Sequence, residues 1–294
     1  MFKFYWSNQQ REAAEAPRYR VVSSTSLPDR AQWVHLVNDA LSAIRGREFQ
    51  KVVLARRKTI RCDSTIDPFA LCAALQGKTV FLFQQDTKTT FVGASPETLY
   101  RRTGTLIECD ALAGTRSLGM QDELLASIKD RAEFLFVQNF LIETLTPLCC
   151  TRPIATPITV CNATTTCHLH STVSGTLRKD ISDREILAAL HPTPAVGGYP
   201  RTEALRFIAE REPFPRGLYS IPIGWFSKER AEFAVAIRSA LIQGDTIHLY
   251  AGVGIVEDSD PLLEWEETEQ KLALWNRFFV EQSKDCSLRD LQTM

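Results

Sequence analysis

Apolar residues recur along this chain with two different periods, and the switches between them mark its elements. Between 29 and 45, Trp33, Leu36, Val37, Ala40, Leu41 and Ile44 return every three or four positions, which predicts a helix with one buried face. KVVLARRKTI (51–60) follows as a strand, and 67–75 is a short helix with Pro68 in its first turn. TVFLFQQ and TTFVGAS (79–85 and 89–95) predict a hairpin. TLYRRTGTLIECDALAG predicts a second strand pair, turning at Thr103-Gly104. A long helix is expected over 122–148, ending near Pro147, and shorter ones over 182–190, before His191-Pro192, and over 201–210. Three strands follow, YSIPIGWFS, AEFAVAIRSALI and TIHLYAGVGIV, the last two joined at Gly244-Asp245. A closing helix over 260–283 has Asp260 as N-cap and Pro261 at its first position.

Hairpins and helices mix without regular β-α-β alternation, so the pattern predicts an α+β fold. With no internal repeat and no linker, 1–294 reads as a single domain, with a leading strand or arm over 1–30. Composition adds little: 44% hydrophobic and 23% charged residues are ordinary for a globular protein. The net charge of −1 gives no global field for nucleic acid or anionic membrane. No apolar stretch reaches the length of a spanning helix, and the first residues lack a secretory signal, so a cytoplasmic protein with reduced thiols is expected. Cys161, Cys167, His168 and His170 invite a zinc reading, but their spacing is loose for zinc. Strand alternation sends Cys167 and Leu169 to one face and both histidines to the other. AGVGIV has GxG without a third glycine or a following helix, which excludes a dinucleotide fold.

Three features are odd for pure structure. Lys51 heads an apolar strand, where an ammonium is costly unless paired; it reads either as a desolvated general base or as a strand-end lysine that snorkels to water. Glu97 follows Ser95-Pro96 at a strand end, and Gly114-Thr115-Arg116 lets backbone approach a ligand; the alternative is a solvated turn. Glu264 and Glu267 share a helix face beside Lys271, which with Glu133 from the long helix makes either a hard oxygen site for Mg²⁺ or a solvated, salt-bridged surface.

Taken in order, KVVLAR, FVGASPETLYRR, ALAGTRS, LHPTPAVGGYPR, AEFAVAIRSA, LYAGVGIV and SDPLLEWEETEQK resemble the motifs of the chorismate-utilising family of isochorismate, salicylate, anthranilate and aminodeoxychorismate synthases. The resemblance runs from about Trp33 to about Phe279. It implies two antiparallel sheets packed face to face with helices outside, and Mg²⁺ bridging protein carboxylates to the ring carboxylate of chorismate. By position, Lys51 resembles the base that activates water for attack at ring carbon 2, and Glu97 the acid that protonates the departing 4-hydroxyl. Glu133 and Glu267 resemble the principal metal ligands, with Glu264 and Asp130 in support; Asp130 stands where some relatives have glutamate. Arg238 and Tyr219, assisted by the Gly252 amide, fall where relatives bind the enolpyruvyl carboxylate. The same resemblance implies that Gly114 and Thr115 line the ring side, that His191 approaches the substrate and that Lys271 helps hold the metal carboxylates.

Within the family, aminodeoxychorismate synthases place a nucleophilic lysine where this chain has Ala113, and ammonia-using members lack a lysine at the position of Lys51. Both positions imply water as nucleophile, hence an isochorismate synthase, with salicylate synthase as the alternative and a catalytically silent binding protein behind it. FYWSNQQREAAEA resembles the quinone-pathway branch, with siderophore synthesis the other destination. No amidotransferase subunit is expected, and the assembly is expected to be a monomer or weak homodimer. The leading region is shorter than in many relatives, which implies an exposed sheet edge or a compact version.

Overall fold

In the computed structural model, which describes residues 3–8, 14–162 and 166–281, the predicted strands gather into two sheets. The larger runs Lys3–Ser7, Thr79–Gln84, Thr89–Ser95, Ser239–Gln243, Thr246–Ile255, Lys51–Cys62, Tyr19–Leu27, Phe279–Val280, and Gly198–Tyr199 pairs with the head of Lys51–Cys62. The smaller runs Pro222–Phe226, Arg230–Val235, Thr98–Thr103, Leu106–Ser117, Thr166–Thr176, Ile154–Ala155, with Thr159–Asn162 also beside Thr166–Thr176. Pairing is antiparallel except where Phe279–Val280 lies parallel to Tyr19–Leu27. The sheets pack face to face with helices outside, so the expected α+β architecture holds.

The helices cover the outer faces because each carries one apolar stripe. Arg30–Arg45 buries Trp33, Val37 and Ala40 with Arg201–Arg211 against Val52 and Leu54. Its start is fixed by a capping box in which Asp29 accepts from the Gln32 amide at 2.9 Å, a device worth about 1 kcal/mol. On the other sheet, Ile128–Leu145 packs Phe134, Val137, Leu141 and Leu145 over Cys109, Leu169 and Val173. A buried phenylalanine such as Phe134 contributes roughly 2–3 kcal/mol of transfer free energy.

Three expected elements are interrupted. The helix expected over 122–148 is two helices, Gln121–Ala126 and Ile128–Leu145, because Ser127 turns extended and its hydroxyl accepts from the Asp130 amide as an N-cap. The closing helix is Pro261–Leu272 followed by a 3₁₀ segment, Ala273–Phe278; positions 282–283 and Cys286 lie outside the described residues.

The third interruption builds the site. AEFAVAIRSALI is not one strand: Arg230–Val235 belongs to the smaller sheet and Ser239–Gln243 to the larger, with the chain crossing between them at Ala236, Ile237 and Arg238. Likewise Thr89–Ser95 and Thr98–Thr103 lie in different sheets, and the chain crosses at Pro96-Glu97. The two crossings are bonded side by side. Ala94 N–H donates to Arg238 O and Val235 N–H to Glu97 O, each at 3.1 Å, and the Ser95 hydroxyl donates to Val235 O at 2.7 Å. Glu97 and Arg238 are thereby held where the two inner faces meet.

Among the described residues, no helix is long and apolar enough to cross a membrane. Alternation in Thr166–Thr176 also holds: Cys167 and Leu169 enter the core, while His168 and His170 face the other way. No zinc cluster forms among the described residues.

Candidate active site

The pocket between the crossings is lined by Lys51, Glu97, Gly114, Thr115, Glu133, Tyr219, Arg238, Gly252, Glu267 and Lys271. Residues from both sheets and from two outer helices therefore converge on one cavity.

Lys51 is 1% exposed, which rules out the snorkelling strand-end lysine. A buried ammonium requires a partner, and Nζ donates to Glu133 Oε1 at 2.8 Å. Burial alone would push Glu133 up, but Lys51, Lys271 and Lys129 together hold its carboxyl below the ordinary range. Room for the pair comes from Gly254, where a Cβ would stand 2.7 Å from both Glu133 Oε1 and Lys51 Cε.

Glu97 is 4% exposed, so the solvated turn is excluded. Burial, reinforced by the charge of Asp110 and opposed by Lys51 and Lys78, pushes its pKa up to about 8. At neutral pH this carboxyl carries a proton and can give it away.

Glu264 is buried beside Glu267 and Glu133, and burial followed by the Glu267 charge raises it to about 7, against Ser259 and Lys129. Glu267 pairs with Lys271 at 2.6 Å, and Lys271 also donates to Gly252 O at 2.9 Å. The solvated, salt-bridged helix face thus describes only part of this helix. Glu264 does not line the pocket wall; it stands behind it, 3.5 Å from Lys129. Asp130 is also off the wall, accepting from Arg116 at 2.9 and 3.1 Å beneath Gly114, whose φ of 69° only glycine adopts freely.

Arg238 takes φ 52°, an unfavourable backbone for a long side chain, and its Nη2 is buried without a partner among the described residues. Burial lowers its pKa while Tyr219 and Glu267 resist. Tyr219 is pushed up to about 12 by burial, so its phenol keeps its proton, and its ring stacks on Tyr250 at 5.3 Å. Gly252 leaves space for it, since a Cβ there would be 2.8 Å from the hydroxyl. His191 is placed outside the pocket wall, with a buried Nδ1 and a pKa lowered to about 4 by burial and then Arg201.

One lining residue was passed over in the sequence. His168 meets Gly114 O and Thr115 Oγ1, each at 3.1 Å through Nδ1, and burial, then Arg238 and Lys271, lower it to about 3, so it stays neutral. Its signal was present in the alternation that set it opposite Cys167, but that alternation served only to argue against zinc.

Cations and carboxylates thus face each other across one cleft, an arrangement suited to a small polyanionic substrate. The carboxylates also suit Mg²⁺: Glu133, Glu264 and Glu267 offer hard oxygens only, and the burial and carboxylate crowding that raise Glu264 are what a divalent cation offsets. Among the described residues no three ligating side chains group closely enough to hold a metal unaided. Mg²⁺ commonly keeps waters and takes substrate oxygens, so one or two protein carboxylates suffice.

The chorismate binding enzyme family matches residues 3–278. The chloroplastic isochorismate synthase of Catharanthus roseus is 39% identical over 266 residues, covering 85% of this chain and 46% of that protein. The isochorismate synthase MenF of Bacillus subtilis is 37% identical over 265 residues, covering 86% and 56%. The solved structure of MenF, the menaquinone-specific isochorismate synthase from Escherichia coli, superposes with a TM-score of 0.82 at 32% identity, covering 90% of this chain and 64% of that one. The chain spans about half the length of the curated relatives it matches. A family match over nearly the whole chain, the shared fold and the converging motifs lead to one conclusion: this chain belongs to the chorismate binding enzyme family.

Proposed function

We propose that this protein is an isochorismate synthase, converting chorismate to isochorismate by adding water at ring carbon 2 and expelling the 4-hydroxyl. The observation that carries this reading is the pair Lys51 and Glu97, both buried and both lining one pocket. Isochorismate synthases among the relatives support the same activity.

In this mechanism Lys51 turns from Glu133 to the substrate as a free amine and accepts a proton from water as the oxygen bonds to carbon 2. The ring double bonds shift, the carbon 4–oxygen bond breaks, and Glu97 gives its proton to the departing hydroxyl, which leaves as water. A pKa near 8 keeps Glu97 loaded for that step at neutral pH. Arg238, with its free Nη2, and the Tyr219 hydroxyl hold the enolpyruvyl carboxylate, assisted by the Gly252 amide. Gly114 and Thr115 face the ring, with neutral His168 fixing both. Glu133 and Glu267, supported by Glu264 and at longer range by Asp130 and Lys271, would hold Mg²⁺. When bound, it supplies the charge that lets these carboxylates tolerate a dianionic substrate. His191 acts from outside the wall, through the segment that carries Ala195 and Val196 into the pocket.

Ala113 before Gly114-Thr115 leaves no lysine there to attack the ring, so water is the nucleophile. In this reading the enzyme is cytoplasmic, acts as one catalytic domain, as a monomer or weak homodimer, without an amidotransferase, and feeds menaquinone or siderophore synthesis. The test is to incubate the protein with chorismate and Mg²⁺ and separate the products. Isochorismate without pyruvate is expected. Salicylate with pyruvate would replace the reading by salicylate synthase, and anthranilate appearing only with ammonia would overturn the role of Lys51.

A further inference from the structure

A second charged cluster lies directly behind Glu97. Asp110, on Leu106–Ser117, is buried, and its carboxylate has three partners. Oδ2 accepts from the amide of Thr98, the residue after Glu97, at 3.3 Å. Lys78 forms an ion pair with the same oxygen, and His170 Nε2 lies 3.1 Å from Oδ1. His170 is placed there by register: it faces Leu112 on the neighbouring strand, with Asp110 two positions on opposite Thr172.

We propose that Asp110 is a positioning residue for the proton of Glu97: its buried carboxylate, fixed by Lys78 and His170 and tied to the Thr98 amide, sets a negative charge beside Glu97 that adds to burial in holding the proton there. This rests on the reading of Glu97 as the proton donor.

The titratable groups facing Glu97 are Asp110, Lys78, Lys51 and the neutral phenol of Tyr219. Lys78 could cancel Asp110, but its side chain is 37% exposed while that of Asp110 is 7% exposed. Water screens the lysine far more than the carboxylate, so the field reaching Glu97 stays negative. Asp110 itself remains ionised: burial opposes this, but the hydrogen bond from His170 and the charge of Lys78 outweigh it. Nothing in the water-addition step needs Asp110 to touch substrate, and it is absent from the pocket wall. Its effect is therefore exerted through Glu97.

The experiment follows Glu97 directly, by ¹³C NMR of protein labelled at glutamate side-chain carboxyls, with the resonance assigned by its loss in E97Q. Turnover of chorismate is measured across pH in parallel. In D110N the Glu97 midpoint is expected to fall by on the order of one pH unit, and the alkaline limb of the kcat profile to fall with it. In K78M both are expected to move the other way, and this variant carries the test if D110N does not fold. Opposite shifts from two residues bonded to each other are not produced by a general loosening of the fold. A Glu97 midpoint unmoved in D110N, or in K78M where D110N is lost, overturns the proposal. A midpoint that moves while the kcat limb stays upholds the role of Asp110 and overturns Glu97 as the donor.

Discussion

Lys51 and Glu133 meet 2.8 Å apart, across a gap that the missing side chain of Gly254 keeps open. One partner heads a strand of the larger sheet and the other lies on the helix Ile128–Leu145, packed outside the smaller one. The contact therefore couples chemistry to the packing of the two halves. Removing Lys51 deletes the base and also leaves Glu133 without its nearest cation. Lys51→Ala is expected to lower kcat by at least about a thousandfold. It should also lower stability by about 3–5 kcal/mol in urea unfolding. Adding Glu133→Gln to that variant should recover much of the stability and none of the activity. An active Lys51→Ala enzyme would refute the base assignment.

Glu97 also links chemistry to stability, through pH. Its folded value of about 8 lies above its ordinary 4.5, so the folded protein binds this proton more tightly than the unfolded chain. The contribution is fully present below about 4.5 and is lost as pH rises through 8. His168 and His191 have the opposite sign: lowered from 6.5 to about 3 and about 4, they weaken the fold as pH falls below 6.5. Urea midpoints of the parent and of Glu97→Gln at pH 6.5 and pH 9 separate the Glu97 effect from those of Glu264 and the histidines, which both proteins share. Glu97→Gln should show a smaller drop between these pH values than the parent, with turnover abolished. An equal drop would mean that Glu97 does not hold its proton.

Much of this was legible in the sequence, and what was hidden shares one cause. Lys51 could be picked out because it heads an apolar strand, and Glu264 and Glu267 because helical spacing puts them on one face. Those are local patterns. The crossings at Glu97 and Arg238 are not local: FVGASPETLYRR reads as strand, turn and strand whichever sheets the halves join. AEFAVAIRSALI hides its break completely, since a left-handed residue is signalled by glycine or asparagine and here it is Arg238. The Ser127 cap stayed hidden because apolar residues continue at helical spacing on both sides of it. Asp110 and His170 meet only through the strand register, which a single sequence does not fix.

The carboxylates on the pocket wall and behind it should report themselves through the metal. Chelation is expected to abolish turnover, and Mg²⁺ to restore it. Glu267→Ala should raise the Mg²⁺ concentration needed for half-maximal rate by at least about tenfold, because it removes an oxygen donor and frees Lys271 to occupy the space. Asp130→Asn should do less, since Asp130 already belongs to Arg116. Unchanged metal dependence in Glu267→Ala would count against it as a ligand.

Arg238 is the position where function and stability should separate most cleanly. Its backbone sits at φ 52°, which costs a residue with a Cβ roughly 1–2 kcal/mol, and its Nη2 is buried without a partner among the described residues. Neither feature helps the empty fold; both make sense if a carboxylate arrives to meet the guanidinium. Arg238→Gly removes the strain and the uncompensated polar group together, against a glycine entropy cost of about 0.5–1 kcal/mol. The unfolding midpoint of Arg238→Gly should therefore match or exceed that of the parent, while the KM for chorismate rises by about ten- to a hundredfold, the worth of a charge-assisted hydrogen bond. Arg238→Ala keeps the strained backbone and should be the less stable of the two, with the same loss in KM. Urea unfolding beside steady-state kinetics on both variants decides the matter. A parent-like KM in Arg238→Gly would mean that the strain serves only the sheet crossing, and that the enolpyruvyl carboxylate is held elsewhere.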